Sequence, residues 1–182
     1  TILAFAREDV AAPALDDNTH WVTWPHASTQ TVADIVNAVT DAAPPGQWMS
    51  YAYNAEFLHF PFCDSRTVQD MLAFHAEERR DAIVTYVIDL YADDLKSNPD
   101  GVSIENAWLE RSAYFALNRT DAWNNSLDRQ MNIFGGLRWR FEEHIPEEKR
   151  RIDRVGIFKT KPGLKLQPTY LFNEAEYNTF AC

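Results

Sequence analysis

Apolar residues come in short runs along this chain, and most runs have strand length. Ile2–Ala6 is one such run, and residues 21–24 alternate around Val22 until Pro25 stops them. Val32, Ile35, Val36 and Val39 recur at helical spacing. They predict a helix capped by Thr29 or Thr31 that runs to about Ala42, with Pro44-Pro45-Gly46 ending it. Residues 48–53 read as a strand. Asp64 or Ser65 caps a second helix, with Val68, Met71, Leu72 and His75 on one side. Residues 82–90, AIVTYVIDL, are nearly continuous in hydrophobicity, the pattern of a strand covered on both faces.

The second half is less regular. Residues 92–103 read as an exposed loop, 104–117 show no clear period, and 118–125 are polar. Gly135-Gly136 marks a turn and residues 138–141 alternate as a strand would. Residues 146–150 form a charged loop or helical turn. Two further strands, 155–158 and 164–166, flank a Lys161-Pro162-Gly163 turn. Strands alternating with helices predict a single α/β domain over residues 1–182, more irregular after about residue 104.

Hydrophobic residues make up 46% of the chain and aromatic residues 13%, enough for a packed core. The net charge of −10 argues against nucleic acid as a partner. The bases crowd the last third, from Arg138 to Lys165, so one end of the molecule can still present an anion-binding surface. No apolar run approaches the ~20 residues that span a bilayer, and no leader pattern is visible. The chain begins on Thr1 and runs straight into a strand pattern, which suggests a trimmed or excised product. Cys63 and Cys182 share no CxxC or Cys/His spacing, so they read as reduced thiols of a cytoplasmic protein without structural zinc.

Residues 51–66, YAYNAEFLHFPFCDSR, hold the first candidate chemistry, because ligands collect where strands end in open α/β sheets. Glu56 is a candidate general base or metal ligand; its plainer role is a solvated or salt-bridged turn residue. Asp89 interrupts an apolar strand, so it either reaches a cleft or pairs with a neighbouring arginine or amide. Asp93 and Asp94 add acid to the same rim, and together with Glu56 and Asp89 they are a candidate cation site. Gly135-Gly136 lets the backbone approach a ligand closely. Arg138 and Arg140, alternating on a strand, are a candidate diphosphate clamp, or else surface arginines on a hairpin. His144 lies beside Glu142 and Glu143 and is either a tuned acid/base or a surface histidine. Trp108 and Trp123 are the tryptophans best placed for a ligand or protein contact. No Ser/His/Asp signature, P-loop or GxGxxG is present.

Several of these residues also carry a family resemblance. Glu56-Phe57-Leu58, Phe60-Pro61, Cys63-Asp64-Ser65-Arg66 and Ile88-Asp89-Leu90-Tyr91 resemble the central block of family 2-type glycosyltransferases. Gly135-Gly136-Leu137-Arg138 and the strand after it resemble that family's Gly-Gly-x-Arg turn. The resemblance spans roughly residues 47–166 and is patchy outside the central block. It implies a reduced GT-A-like fold: a three-layer α/β/α sandwich around a mixed sheet. It implies transfer of a sugar from a nucleotide-sugar donor to an unknown acceptor, with Mg²⁺ or Mn²⁺ as the cofactor. The family's Asp-x-Asp falls on Tyr53 and Ala55, so the motif is degenerate. Glu56 remains as metal ligand, with Asn54 as a neutral oxygen ligand. Residues and resemblance together predict Glu56 and Asp89 as catalytic, and Asn54, Asp93, Asp94, Arg138, Arg140 and His144 as substrate-binding. The rival is a catalytically inactive module on the same scaffold that binds carbohydrate or a protein partner.

Overall fold

The computed structural model describes residues 1–25, 32–94, 96–99 and 101–180. The helix caps expected at Thr29 or Thr31, and Cys182, lie outside the described residues. Strands β1 (Ile2–Ala6) and β2 (Thr19–Thr23) are followed by helix α1 (Val32–Ala42) and strand β3 (Trp48–Ser50). Next come α2 (Val68–Glu77), β4 (Ala82–Tyr86), β5 (Leu90–Tyr91) and β6 (Trp108–Leu109). The hairpin β7 (Phe115–Thr120) and β8 (Ser126–Phe134), the single turn α3 (Leu137–Arg140) and β9 (Asp153–Lys159) complete the order.

The strands form separate small sheets, which overturns the expected α/β/α sandwich. β1 and β2 pair in parallel with each other, from Ile2↔Thr19 to Ala6↔Thr23, and among the described residues with no further strand. β9 runs antiparallel between β3 and β4, β5 pairs with β6, and β7 pairs with β8. Three local facts prevent one covered mixed sheet. The apolar run at 82–90 breaks between β4 and β5, so it never becomes one long central strand. Helix α2 fully buries none of its residues, and only Met71, Leu72 and His75 are half-buried. Only α1 buries an apolar stripe, through Ala33 and Val36.

What core there is gathers on β9. Val155 and Phe158 are fully buried and pack with Ala33, Val36, Leu164, Leu166, Phe172 and Tyr177. The Phe158 and Phe172 rings lie 4.6 Å apart, within aromatic contact. β9 is flanked on both edges, which explains its almost unbroken burial. The remaining surface is large. A compact chain of 21.0 kDa exposes about 9,000 Å², and this one exposes 12871 Å².

Several local expectations change. Helix α2 is capped by Thr67, not by Asp64 or Ser65. The Thr67 hydroxyl accepts from the Asp70 N–H at 3.2 Å, and the Asp70 carboxylate accepts from the Thr67 N–H at 2.9 Å, a reciprocal box. Thr67→Ala should lower stability by about 1 kcal/mol in urea unfolding, since α2 has no buried face to compensate. The Thr67 N–H and hydroxyl hold the Asp70 carboxyl below its ordinary range. Its share of the cap is therefore present above the unfolded pKa of about 3.9 and lost as pH falls through the folded value. Of the strand expected at 138–141, residues 138–140 wind into α3 instead, after Gly136 at φ 62° redirects the chain. Of the strand expected at 164–166, one bridge remains, Leu166↔Phe172.

Candidate functional site

Glu56 does not sit at a strand tip. β3 ends at Ser50, and Glu56 closes a turn in which its own N–H donates to the Tyr53 carbonyl at 3.2 Å. The carboxylate turns back to accept the Tyr53 N–H at 2.9 Å. Both of its oxygens also accept from the Arg154 fork, at 3.0 and 2.5 Å. Arg154 stands on β9, opposite Thr85 of β4, so the sheet itself aims it at the turn. Its guanidinium lies over the Tyr51 and Tyr53 rings, 5.4 and 5.9 Å from their centroids, close enough for cation–π attraction. Tyr53 shares a 2.6 Å hydroxyl–hydroxyl hydrogen bond with Tyr170. Burial pushes the Tyr51 and Tyr53 phenols up, and the bond to Tyr170 adds to the shift at Tyr53. The Tyr51 hydroxyl and Arg154 Nε are buried without a hydrogen-bond partner.

Asp89 lies in the break between β4 and β5, where Arg138 holds it. Arg138 Nε and Nη2 donate to the two Asp89 oxygens at 2.6 and 2.9 Å, a bidentate pair. Arg138 Nη1 donates to the Arg151 carbonyl at 3.0 Å. The hydrogen bonds to Asp89 raise the Arg138 pKa against the opposing effect of burial. The charges of Asp89, then of Glu56 and Tyr170, raise it further through space. The two ion pairs therefore share one field. Glu56 and Arg154 form one ion pair beside Tyr51, Tyr53 and the Tyr53–Tyr170 bond, and Asp89 and Arg138 form a second.

The Gly135-Gly136 loop approaches Tyr114 where a ligand was expected. A Cβ on Gly135 would stand 2.5 Å from Tyr114 Cδ1 and 2.6 Å from the Ala113 carbonyl oxygen. That fit sets the start of α3 and so the direction of Arg138. Arg138 and Arg140 do not clamp one anion. Arg140 pairs instead with Glu110 at 2.5 Å. On a helical turn, side chains two apart point in different directions, unlike the expected strand alternation.

The other candidates disperse. His144 is exposed and lies 3.7 Å from Glu143. Asn54 occupies the exposed turn before Glu56. Asp94 caps its own loop, accepting from the Lys96 N–H at 2.9 Å and the Ser97 hydroxyl at 2.6 Å. Asp93 lines an open groove of about 590 Å³ with Asn98, Glu105, Asn106, Ala107 and Trp108, and neither Glu56 nor Asp89 reaches it. Trp123 stands 82% exposed on the β7–β8 turn.

The residues present do not fit a divalent cation. Hard cations want several oxygen ligands, usually carboxylates. Glu56 is occupied by a guanidinium, the Tyr53 hydroxyl is bonded to Tyr170, and Ala55 carries no donor. Among the described residues, no three His, Cys, Asp or Glu side chains are grouped to hold a metal. No helix among them is long and apolar enough to cross a membrane.

A buried polar cluster around Asp153 escaped the sequence reading. Asp153 accepts from Arg119 at 2.7 Å, Arg151 at 2.8 Å and the Ile133 N–H at 2.6 Å. It is the carboxylate that ties β7 and β8 to β9. An aspartate opening the run Asp153–Lys159 was the available signal, since a charge entering a buried strand needs a partner. No spacing points to Arg119. Arg154 and Tyr170 likewise carried no local signal. No protein-family model, curated protein or solved structure matches the chain.

Proposed function

We propose that this is a glycosyltransferase-like protein that seats the diphosphate of a nucleotide sugar on Arg138 and Arg154. It passes the sugar to an acceptor hydroxyl without a divalent cation. One observation carries the reading. Glu56, Asp89 and Arg138 come from separate blocks of the glycosyltransferase resemblance; Asp89 pairs with Arg138, Glu56 pairs with Arg154, and the Glu56 charge also acts on Arg138 through space. Guanidinium forks match phosphate oxygens two at a time. An entering diphosphate competes with Glu56 and Asp89 for those forks and frees the carboxylates. One of them then takes the acceptor hydroxyl proton as the new C–O bond forms. The bond from the sugar to the diphosphate breaks, and its electron pair leaves with the diphosphate, whose charge the arginines offset. Partners in this reading are a nucleotide sugar and a carbohydrate acceptor, nucleic acid is not among them, and the setting is the cytoplasm.

The second reading, a non-catalytic module that binds carbohydrate or a protein partner, is favoured by the substitution of Tyr53 and Ala55 for the family's aspartates. Thermal shift over a panel of nucleotide sugars, with and without Mn²⁺, separates the two. The transferase reading expects one donor to raise Tm equally with and without the cation. At a hundred times Kd the gain is about 2.7 kcal/mol, or roughly 5–10 °C for a chain of this size. Arg154→Lys, which keeps the charge and loses the fork, should abolish that shift. No response to any donor, with or without cation, refutes the transferase reading and leaves the module.

A further inference from the structure

The C-terminal end of α2 turns on a residue that is not glycine. Arg79 stands at φ 55°, the left-handed position that ends many helices and that strains a residue with a side chain. Two backbone bonds hold the turn. The Arg79 N–H donates to the Ala76 carbonyl at 3.0 Å, and the Arg80 N–H donates to the His75 carbonyl at 2.9 Å. The Arg80 side chain adds a third hold, again on His75. Its Nη1 lies 3.3 Å from His75 Nδ1. A guanidinium can only donate, so Nδ1 accepts, and the proton of the neutral ring sits on Nε2. The Arg80 guanidinium also lies 5.8 Å from the centroid of the Phe74 ring, which meets the His75 ring edge-on. His75 is half-buried, on the side of α2 that carries Met71 and Leu72.

We propose that His75 and Arg80 are a pH-sensitive latch: neutral His75 accepts from Arg80 and keeps the last turn of α2 closed, and a proton on His75 opens it. A protonated ring has a donor at both nitrogens, so the acceptor is gone and two cations face each other where the bond was. Helix C-termini ordinarily favour a cation. Here burial, and then the Arg80 charge, outweigh that and hold the His75 pKa below its ordinary value, with Glu78 alone favouring the proton. Among the described residues, no titratable group of another element acts on the ring. Glu78 itself lies 3.8 Å from Arg80. The contribution of His75 is therefore whole above the unfolded pKa of about 6.5 and is lost as pH falls through the folded value. The movement goes into the helix, because the chain beyond Arg80 is fixed to β9. The Asp81 carbonyl accepts from the Lys159 N–H at 2.7 Å, and its carboxylate pairs with Lys159 Nζ at 2.9 Å. The Asp70 cap at the other end of α2 responds only below about 3.9, so mild acid opens one end alone.

NMR on the full chain, followed from about pH 8 to about pH 5, tests this. The His75 ring nitrogens should show a bare Nδ1 at the upper end and a titration midpoint below about 6.5. Hydrogen exchange of the Arg79 and Arg80 amides, measured against those of α1, should speed several-fold as that midpoint is crossed. His75→Asn keeps an acceptor near the place of Nδ1 and takes no proton, so its exchange should stay flat over the same range. Arg80→Met removes the opposing cation and should move the His75 midpoint upward. Both variants should keep the wild-type circular dichroism at the upper pH. A proton on Nδ1 at the upper end overturns the inference, as does a midpoint at or above about 6.5. So does exchange that ignores the midpoint, an acid response that persists in folded His75→Asn, or a midpoint that Arg80→Met leaves in place or lowers.

Discussion

Asp153→Ala should cost about 3–5 kcal/mol of unfolding free energy, the penalty for breaking a buried ion pair by removing one partner. The Asp153 side chain is 0% exposed and Arg119 is 7% exposed. Once the carboxylate is gone, Arg119 keeps the Asn132 side-chain oxygen and the Asn178 carbonyl as acceptors, but no counter-charge. Burial already pulls the Arg119 pKa below its ordinary value, with Asp153 opposing that shift. The variant also strands the Ile133 N–H, which donates to Asp153 at 2.6 Å. Because this carboxylate joins β7 and β8 to β9, the loss should also loosen the hairpin. Urea unfolding should show a lower midpoint, and hydrogen exchange should show faster opening of β8 than of α1. A loss under about 1 kcal/mol is the size expected of an exposed pair and would contradict the arrangement.

Gly135→Ala ranks second, at about 3 kcal/mol, from added backbone strain and from overpacking of about 1–3 kcal/mol each. Gly135 sits at φ 147°, a conformation that a side chain rarely adopts. Its new Cβ would meet the Ala113 oxygen at 2.6 Å and Tyr114 Cα at 2.8 Å as well as the Tyr114 ring. Backbone atoms cannot swing aside, so adding Tyr114→Ala should recover only part of the loss. Gly163→Ala is the control. Gly163 has φ 79° and open space around it, so only strain of about 1 kcal/mol is expected. Denaturant unfolding of the three variants checks the order. Full rescue by Tyr114→Ala would mean that the loop rests on the ring alone.

Elements whose order is set within a few residues were legible in the sequence. The stripe of Val32, Val36 and Val39 gave α1, and the unbroken apolar run ending at Phe158 gave β9. The errors lie where distant residues decide. Continuous hydrophobicity reads straight through residues 82–90, but β4 stops at Tyr86, opposite Asp153 where its partner β9 begins, and Asp89 beyond it pairs with Arg138, 49 positions away. Glu56 is salt-bridged in its turn, and its partner Arg154 is 98 positions away and shows no local cue. β8 mixes Asp128 and Arg129 with apolar residues because the ribbon is wet on both sides near its turn, so alternation is weak. The three-layer sandwich failed for a related reason. α2 has an amphipathic pattern on paper, but its apolar side is only partly buried, at Met71, Leu72 and His75.

The account rests on Arg138 and Arg154 being one anion-receptive pair, held closed by Asp89 and Glu56 until a donor arrives. The most direct measurement follows the Nε–Hε signals of both arginines by NMR while nucleoside-diphosphate sugars are titrated in, once with Mg²⁺ and once with chelator. The account predicts that one donor moves both signals together, along the same curve in either buffer. Signals that stay fixed at saturating donor, that move only with Mg²⁺, or that move at one arginine and not the other would contradict it.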